Sequence, residues 1–148
     1  MARLKVKEAV DLTVPLVVRD GFTVDVRVKT RRALERLYER CSRPKPSPVS
    51  GRMEQVLDDG LWAQNAPDAY IASWQGLKPS HFQLLGIALE EAPTTNGDGC
   101  IPYDAELARD IWREAFFDKF AQPIMTTARE ALGQIEEDKK KDSPASGS

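Results

Sequence analysis

Residues 12–29 read L-T-V-P-L-V-V-R-D-G-F-T-V-D-V-R-V-K, and apolar side chains recur at every second position on both sides of an Asp-Gly turn signal. Strict alternation is typical of half-buried β-strands. Pro15 has no N–H group to donate to a strand ladder, so it favours an edge position for the first strand. The segment 70–75, Y-I-A-S-W-Q, is a candidate third strand. These patterns predict a small antiparallel sheet at the N-terminus.

The turn between the two strands sets their register. A two-residue turn at Asp20-Gly21 would place apolar positions opposite polar ones. A three-residue loop, Arg19-Asp20-Gly21, brings all the apolar side chains to one face, and it needs a left-handed residue where Gly21 stands. We therefore predict the longer loop. The predicted pairs are Val18 with Phe22, Leu16 with Val24 and Val14 with Val26.

Capping residues and apolar stripes predict helices through most of the remaining chain. We expect the proline-rich stretch 42–50 to be an exposed linker and residues 63–69 to interrupt the helices. The overall expectation is an α+β fold that is mostly helical, in one domain over residues 1–135, with a disordered charged tail over 136–148. The predicted helices run from Thr30 to Arg40, from Ser50 to Leu61, from Pro79 to Glu90, from Asp104 to Phe117, and from Pro123 to Ile135.

Composition limits the classes of function. The chain has 148 residues, 41% apolar and 30% charged, with a net charge of −2. That balance gives no general attraction to nucleic acid, and no apolar run is long enough to span a membrane. Cys41 and Cys100 lack metal-ligand spacing. A cytosolic protein with idle thiols is the simplest interpretation.

Chemical motifs are sparse, so the sequence predicts no catalytic, cofactor or metal site. His81 is the only histidine, and no phosphate loop, dinucleotide fingerprint or nucleophile elbow occurs. The loop N-G-D-G (96–99) matches the middle of a calcium-binding frame. However, Thr94 and Ala105 occupy the end positions where that frame needs carboxylates. We interpret the loop as a tight turn that sets the entry of the helix capped by Asp104.

A basic stripe on the first helix is the one feature that favours nucleic acid. Arg32, Arg36 and Arg40 recur at intervals of four residues, beside the apolar face of the helix. Such a face can follow phosphates. Glu35 and Glu39 are spaced to form ion pairs within it, however, which suits an ordinary solvated face or a patch for an acidic protein. A small nucleic-acid-binding or regulatory protein is therefore the alternative function.

Large apolar side chains crowd the C-terminal half. On one helix they would cover more than one face, because adjacent residues diverge by about 100°. The simplest interpretation is a helix buried on two sides, and the alternative is that some of them contact a partner. The residues concerned are Ile111, Trp112, Phe116, Phe117 and Phe120.

Two short motifs resemble those of the tail assembly chaperones of long-tailed bacteriophages. In that family a Trp-x-Gly stretch, here Trp74-Gln75-Gly76, precedes a segment of the type Ile-Pro-Tyr-Asp with a leucine soon after. Residues 101–104 and Leu107 fill that second pattern. The order of pieces is similar over about residues 10–135.

The resemblance implies a non-enzymatic protein of the host cytoplasm. Such chaperones bind the tape measure protein and keep it soluble until tail tube subunits polymerise around it. The tape measure protein is thus the expected partner and the tail tube protein a second candidate, while self-association stays open. The expected binding residues are the five crowded side chains of the C-terminal half and Arg32, Arg36 and Arg40.

Overall fold

A computed structural model describes the backbone of residues 9–141 and the side chains of residues 12–138. The fold is α+β, with 46% helix and 24% strand in two small antiparallel sheets, so the expectation of a mostly helical chain overstated the helix content. The elements are β1 Ala9–Arg19, β2 Phe22–Lys29, α1 Arg31–Arg40, β3 Ser42–Pro46, β4 Met53–Leu57, α2 Asp59–Tyr70, β5 Ile71–Gln75, α3 Pro79–Leu84, α4 Ala105–Glu114, a 3-10 turn Phe117–Lys119 and α5 Ala121–Lys141.

The hairpin of β1 and β2 has the predicted register along most of its length. Leu16 lies opposite Val24 and Val14 opposite Val26, and Gly21 has a φ of 82°. The turn itself differs from the prediction. The predicted pair of Val18 with Phe22 is wrong: Arg19 lies opposite Phe22, and the ladder shifts by one residue between Val17 and Arg19. A bulge at that shift restores the register in which the apolar side chains share a face.

Strand β2 is the centre of the first sheet, which has the order β1-β2-β5. Its side chains Phe22, Val24, Val26 and Val28 are fully buried, and α5 packs against this sheet. The predicted strand near residues 70–75 is confirmed as β5. Trp74 of β5 extends the core toward β2: its ring contacts Phe22 edge-on, with ring centroids 6.3 Å apart.

Helix α1 begins where the sequence predicted. The Thr30 side chain accepts a hydrogen bond from the Ala33 N–H, and Leu37 and Cys41 face the core. This is the usual N-cap arrangement, which satisfies an N–H group that lacks a partner within the helix.

The predictions for residues 42–69 were wrong. Residues 42–57 form a hairpin of β3 and β4 instead of a linker and a helix, and the next helix, α2, runs through the predicted break. Asp58 caps α2 by accepting a hydrogen bond from the Leu61 N–H. Pro67 removes one hydrogen bond inside α2, but the helix continues because Ala66, Pro67 and Tyr70 are buried against the rest of the core.

Three later boundaries also differ from the sequence predictions. Helix α3 ends at Leu84, and α4 ends at Glu114 instead of Phe117. The Asp104 cap of α4 is confirmed, since its side chain accepts from the Glu106 N–H. Pro123 lies in the first turn of α5, as the sequence allowed. Helix α5 continues through Lys141, whereas we expected disorder after residue 135; residues 142–148 lie outside the described residues.

Candidate functional site

The five crowded side chains of the C-terminal half divide into core and surface residues. Ile111, Trp112 and Phe120 are buried. Trp112 stacks on Tyr70 with ring centroids 6.1 Å apart and meets Phe120 edge-on at 6.3 Å. Trp112 and Phe120 therefore stabilise the fold, and the expectation that they contact a partner is not compatible with their burial; Ile111 is also buried, although it lies among the residues that line a surface groove.

Phe116 and Phe117 are exposed, with 58% and 59% of their surface accessible. They leave the core because α4 ends before them: Ala115 adopts an extended conformation with ψ of 153°. The Phe116 N–H then donates to the Leu85 carbonyl oxygen over 3.0 Å. This tertiary bond fixes the chain as it leaves the helix, so the two phenylalanines are held outside the packed interior.

Leu84 and Leu89 extend this exposed apolar surface, with accessible fractions of 51% and 43%. They flank Gly86, whose backbone lies against the Phe116 ring. We call the set Leu84, Leu89, Phe116 and Phe117 the apolar ledge. Large apolar side chains exposed on two segments that touch through Gly86 and Phe116 form a candidate surface for another molecule.

A groove of about 510 Å³ adjoins the apolar ledge. Its walls come from the segment after α3 and from one face of α4, and two carboxylates, Asp110 and Glu114, lie among the lining residues. A lining that combines apolar side chains with two carboxylates suits a helix that carries an apolar stripe and flanking basic residues. The lining residues are Phe82, Gly86, Ile87, Ala88, Leu89, Leu107, Asp110, Ile111 and Glu114.

The basic stripe lies on the exposed side of α1. Arg32, Arg36 and Arg40 are all accessible to solvent. The nearby Arg31 reaches across to α5, where it donates to both carboxylate oxygens of Glu136 at 2.7 and 2.8 Å. Burial lowers the pKa of Lys29, and the positive charges of Arg27 and Arg40 lower it further.

Tyr38 is the aromatic side chain of α1. Tyr38 is half exposed, but its ring already stacks on Trp62 with centroids 5.0 Å apart and an interplanar angle of 9°. Single-stranded nucleic acid is commonly held by free aromatic faces next to basic groups. Trp62 therefore already occupies one face of the Tyr38 ring.

His81 has a structural position. Its Nδ1 accepts a hydrogen bond from the Lys78 N–H at 2.9 Å, and its Nε2 lies 3.0 Å from the Asp20 carbonyl oxygen. A carbonyl can only accept, so Nε2 carries the proton and donates. The ring thus joins the start of α3 to the turn of the β1–β2 hairpin, and both of its nitrogens are occupied.

The thiol of Cys41 is buried and donates to the Leu61 carbonyl oxygen at 3.6 Å. Burial raises the pKa of this thiol above its ordinary value. A raised pKa disfavours the thiolate, which is the nucleophilic form. Cys41 is therefore a packing residue.

The N-G-D-G loop is held by its own hydrogen bonds. The Asp98 carboxylate accepts from the Cys100 N–H at 3.0 Å, and Gly99 adopts a φ of 80°. Over the described residues, no group of three or more potential metal-ligating side chains occurs. The loop leads to Ile101, whose N–H donates to the Leu77 carbonyl oxygen. It is a turn that positions α4, as predicted.

The two motifs that carry the family resemblance meet in the core. The indole N–H of Trp74 donates to the Ile101 carbonyl oxygen at 3.0 Å. The Trp74 ring also meets Tyr103 edge-on, with centroids 4.9 Å apart. A Trp-x-Gly stretch and an Ile-Pro-Tyr-Asp segment, 27 positions apart from Trp74 to Ile101, thus form one structural unit that anchors the entry of α4.

No protein-family model, curated protein or solved structure matches this chain. Within the described part of the chain, none of the helices is both long and apolar enough to cross a membrane.

Proposed function

We propose that the protein is a non-enzymatic tail assembly chaperone of a long-tailed phage. It binds the tape measure protein and keeps it soluble while tail tube subunits polymerise around it. The observation that carries the proposal is the apolar ledge with its adjoining groove. Phe116 and Phe117 are each more than half exposed, although the same segment places Trp112 and Phe120 in the core.

The groove matches the physical needs of such a client. A tape measure protein is long and helical, and it exposes an apolar stripe until its tube forms. The ledge offers apolar surface to that stripe, and the carboxylates of Asp110 and Glu114 can accept hydrogen bonds from basic side chains beside it. One of these acids is partly neutralised, since Arg113 binds Asp110 at 2.8 Å.

The contact between the two resemblance motifs supports the same proposal. Trp74 binds the Ile101 backbone and packs on Tyr103, so each motif has a structural reason to occur with the other. The pair fixes the start of α4, and the opposite end of α4 leads directly to Phe116. The motifs thereby hold the helix from which the ledge extends.

Co-expression with the tape measure protein of the same genome tests the proposal. Wild-type chaperone should raise the soluble fraction of that protein, measured by quantitative blotting of the supernatant and pellet. Leu89→Asp should reduce the effect, because it places a charge beside the groove. Val49→Asp is the matched control: its site is 95% exposed and belongs to another element, the turn between β3 and β4.

Two results would overturn the proposal. One is a tape measure protein that stays as insoluble with the wild type as without it. The other is an equal loss of solubilisation for Leu89→Asp and Val49→Asp, which would remove the ledge as the binding surface.

A further inference from the structure

The β3–β4 hairpin projects from the body of the protein. Its two strands pack chiefly against each other. Met53 is 64% exposed, and Val56 is also exposed. An isolated two-stranded sheet is marginally stable in water, whereas a sheet of three or more strands with an apolar face is stable. This arm, residues 42–57, therefore lacks the neighbours that such a strand pair normally has.

Hydrogen bonds at both ends of the arm fix which residues form its ladder. The Ser47 N–H donates to the Arg52 carbonyl oxygen at 2.8 Å, and the Asp58 N–H donates to the Cys41 carbonyl oxygen at 2.7 Å. Bonded and non-bonded pairs alternate along an antiparallel ladder. Given the pairing of Pro44 with Gln55 and of Pro46 with Met53, both prolines fall on non-bonded positions.

The outer edge of β3 is therefore closed to a further strand. At non-bonded positions the backbone N–H groups point away from the ladder, and Pro44 and Pro46 have none. Prolines on an edge strand are a known means of blocking strand addition. The same feature explains why alternate prolines are compatible with a strand at this place.

The outer edge of β4 is open. By the same alternation, the N–H and C=O groups of Met53, Gln55 and Leu57 point away from β3. Among residues 9–141, β4 has β3 as its only neighbouring strand. An unpaired edge of this kind is a template for another strand.

We infer that the occupant of this edge is β4 of a second copy of the chain, in an antiparallel pair centred on Gln55. Two identical edges related by a twofold axis must run antiparallel. Centring on Gln55 puts Met53 opposite Leu57 of the other copy and Arg52 opposite Asp58 of the other copy. An apolar pair thus occurs twice, and apolar pairs across strands are stabilising. Each Arg52 also comes opposite an Asp58 whose carboxylate binds Arg43 of its own copy at 3.1 Å and accepts from the Leu61 N–H, so the charges of the two copies meet in a shared cluster.

The blocked edge of β3 limits the assembly to two copies. Pairing through β4 gives one four-stranded sheet with the order β3-β4-β4-β3. Its two outer edges carry the prolines, so no further copy can add. The result is a closed dimer instead of a fibre, and this conclusion does not depend on the identity of the client protein.

Light scattering coupled to size-exclusion chromatography tests the dimer. Wild type should elute with twice the chain mass, and Gln55→Pro should elute as a monomer, because it removes the N–H at the twofold centre. The Gln55 N–H lies outside the internal ladder, so this variant leaves the β3–β4 bonds in place. Gln55→Thr keeps the N–H and should remain a dimer. A monomeric wild type at high protein concentration, or a dimeric Gln55→Pro, overturns the inference.

Cross-linking tests the register independently of these variants. In a Cys100→Ser background, Gln55→Cys should form a disulfide-linked dimer on mild oxidation, because directly opposed residues bring their Cα atoms about 5.5 Å apart. Val49→Cys in the same background is the control, since its copies lie at opposite ends of the pair. Equal cross-linking of the two variants, or none at Gln55→Cys, overturns the pairing.

Discussion

The Phe116 ring lies directly against the backbone of Gly86, so a Cβ atom built on Gly86 would overlap the ring. Gly86 also has a φ of +84°, in the left-handed region. The residue that permits the turn after α3 is thus the one that makes room for the exposed phenylalanine. This contact joins two segments of the ledge that are about thirty residues apart in the chain.

Gly86→Ala should destabilise the protein more than a glycine substitution at another left-handed site. Left-handed strain costs about 1–2 kcal/mol for a residue with a Cβ atom. At Gly86 the displacement of the Phe116 ring adds to that cost. Gly21→Ala is the control, since its φ is +82° and nothing lies within 4 Å of the added atom. Urea denaturation measures both, and equal losses would contradict the contact.

His81→Phe should lower the free energy of unfolding, because the role of His81 is structural. The variant keeps a ring beside Phe22, whose centroid lies 5.7 Å from that of His81. It leaves the Lys78 N–H and the Asp20 carbonyl without their partner; both bonds are partly buried, and a fully buried unsatisfied group costs about 1–3 kcal/mol. We expect a loss of about 1 kcal/mol by urea denaturation. Unchanged stability would show that the two hydrogen bonds make no net contribution.

Stability should fall at high pH because of Tyr70. Burial raises the pKa of Tyr70 from 10.0 to about 12. A group whose pKa is raised in the folded state binds its proton more tightly there than in the unfolded chain. Its contribution is complete below pH 10 and is lost as the pH rises toward about 12. Tyr70→Phe should therefore flatten the decline of unfolding free energy over this range. The same slope for both proteins would contradict the assignment.

The register of the first hairpin was predictable, because one face of β2 is buried. A slip by one residue would turn Val24 and Val26 outward, so the alternation in the sequence carries the information. The bulge near Val18 was not visible, since both turn lengths use Asp20 and Gly21. The fold class followed from the same stretch together with the caps at Thr30 and Asp104.

The β3–β4 arm could not be predicted from apolar spacing. Met53, Val56 and Leu57 are spaced like the apolar stripe of a helix that follows Ser50. However, Met53 and Val56 are exposed, so this spacing does not indicate a buried helix face. A strand of five residues is also too short to distinguish the two periods. The alternate prolines were the available signal, because they suit an edge strand as well as a linker.

The sequence could not show which of the crowded C-terminal side chains are buried and which are exposed, because a tertiary interaction decides this. Ala108, Trp112 and Phe116 recur at intervals of four residues and fit one face of a continuous helix, which is why the sequence placed its end at Phe117. The break at Ala115 depends on the Leu85 carbonyl and on Gly86, which are distant in the chain. Sequence spacing alone therefore could not separate Phe116 and Phe117 from the buried Trp112.

Phe117→Asp and Phe120→Asp should have opposite effects although they lie three residues apart. Phe120 is fully buried between Phe22 and Trp112, and a carboxylate there should cost more than about 4 kcal/mol, enough to unfold much of the protein. Phe117 is 59% exposed, so its replacement should change the unfolding free energy by less than about 0.5 kcal/mol. In co-expression, Phe117→Asp should nevertheless reduce the soluble yield of the tape measure protein, because the ledge loses apolar surface and gains a charge. Circular dichroism melting and the soluble fraction, measured on the same preparations, separate the two effects. A stable Phe117→Asp protein that solubilises its client as well as wild type would exclude Phe117 from the binding surface.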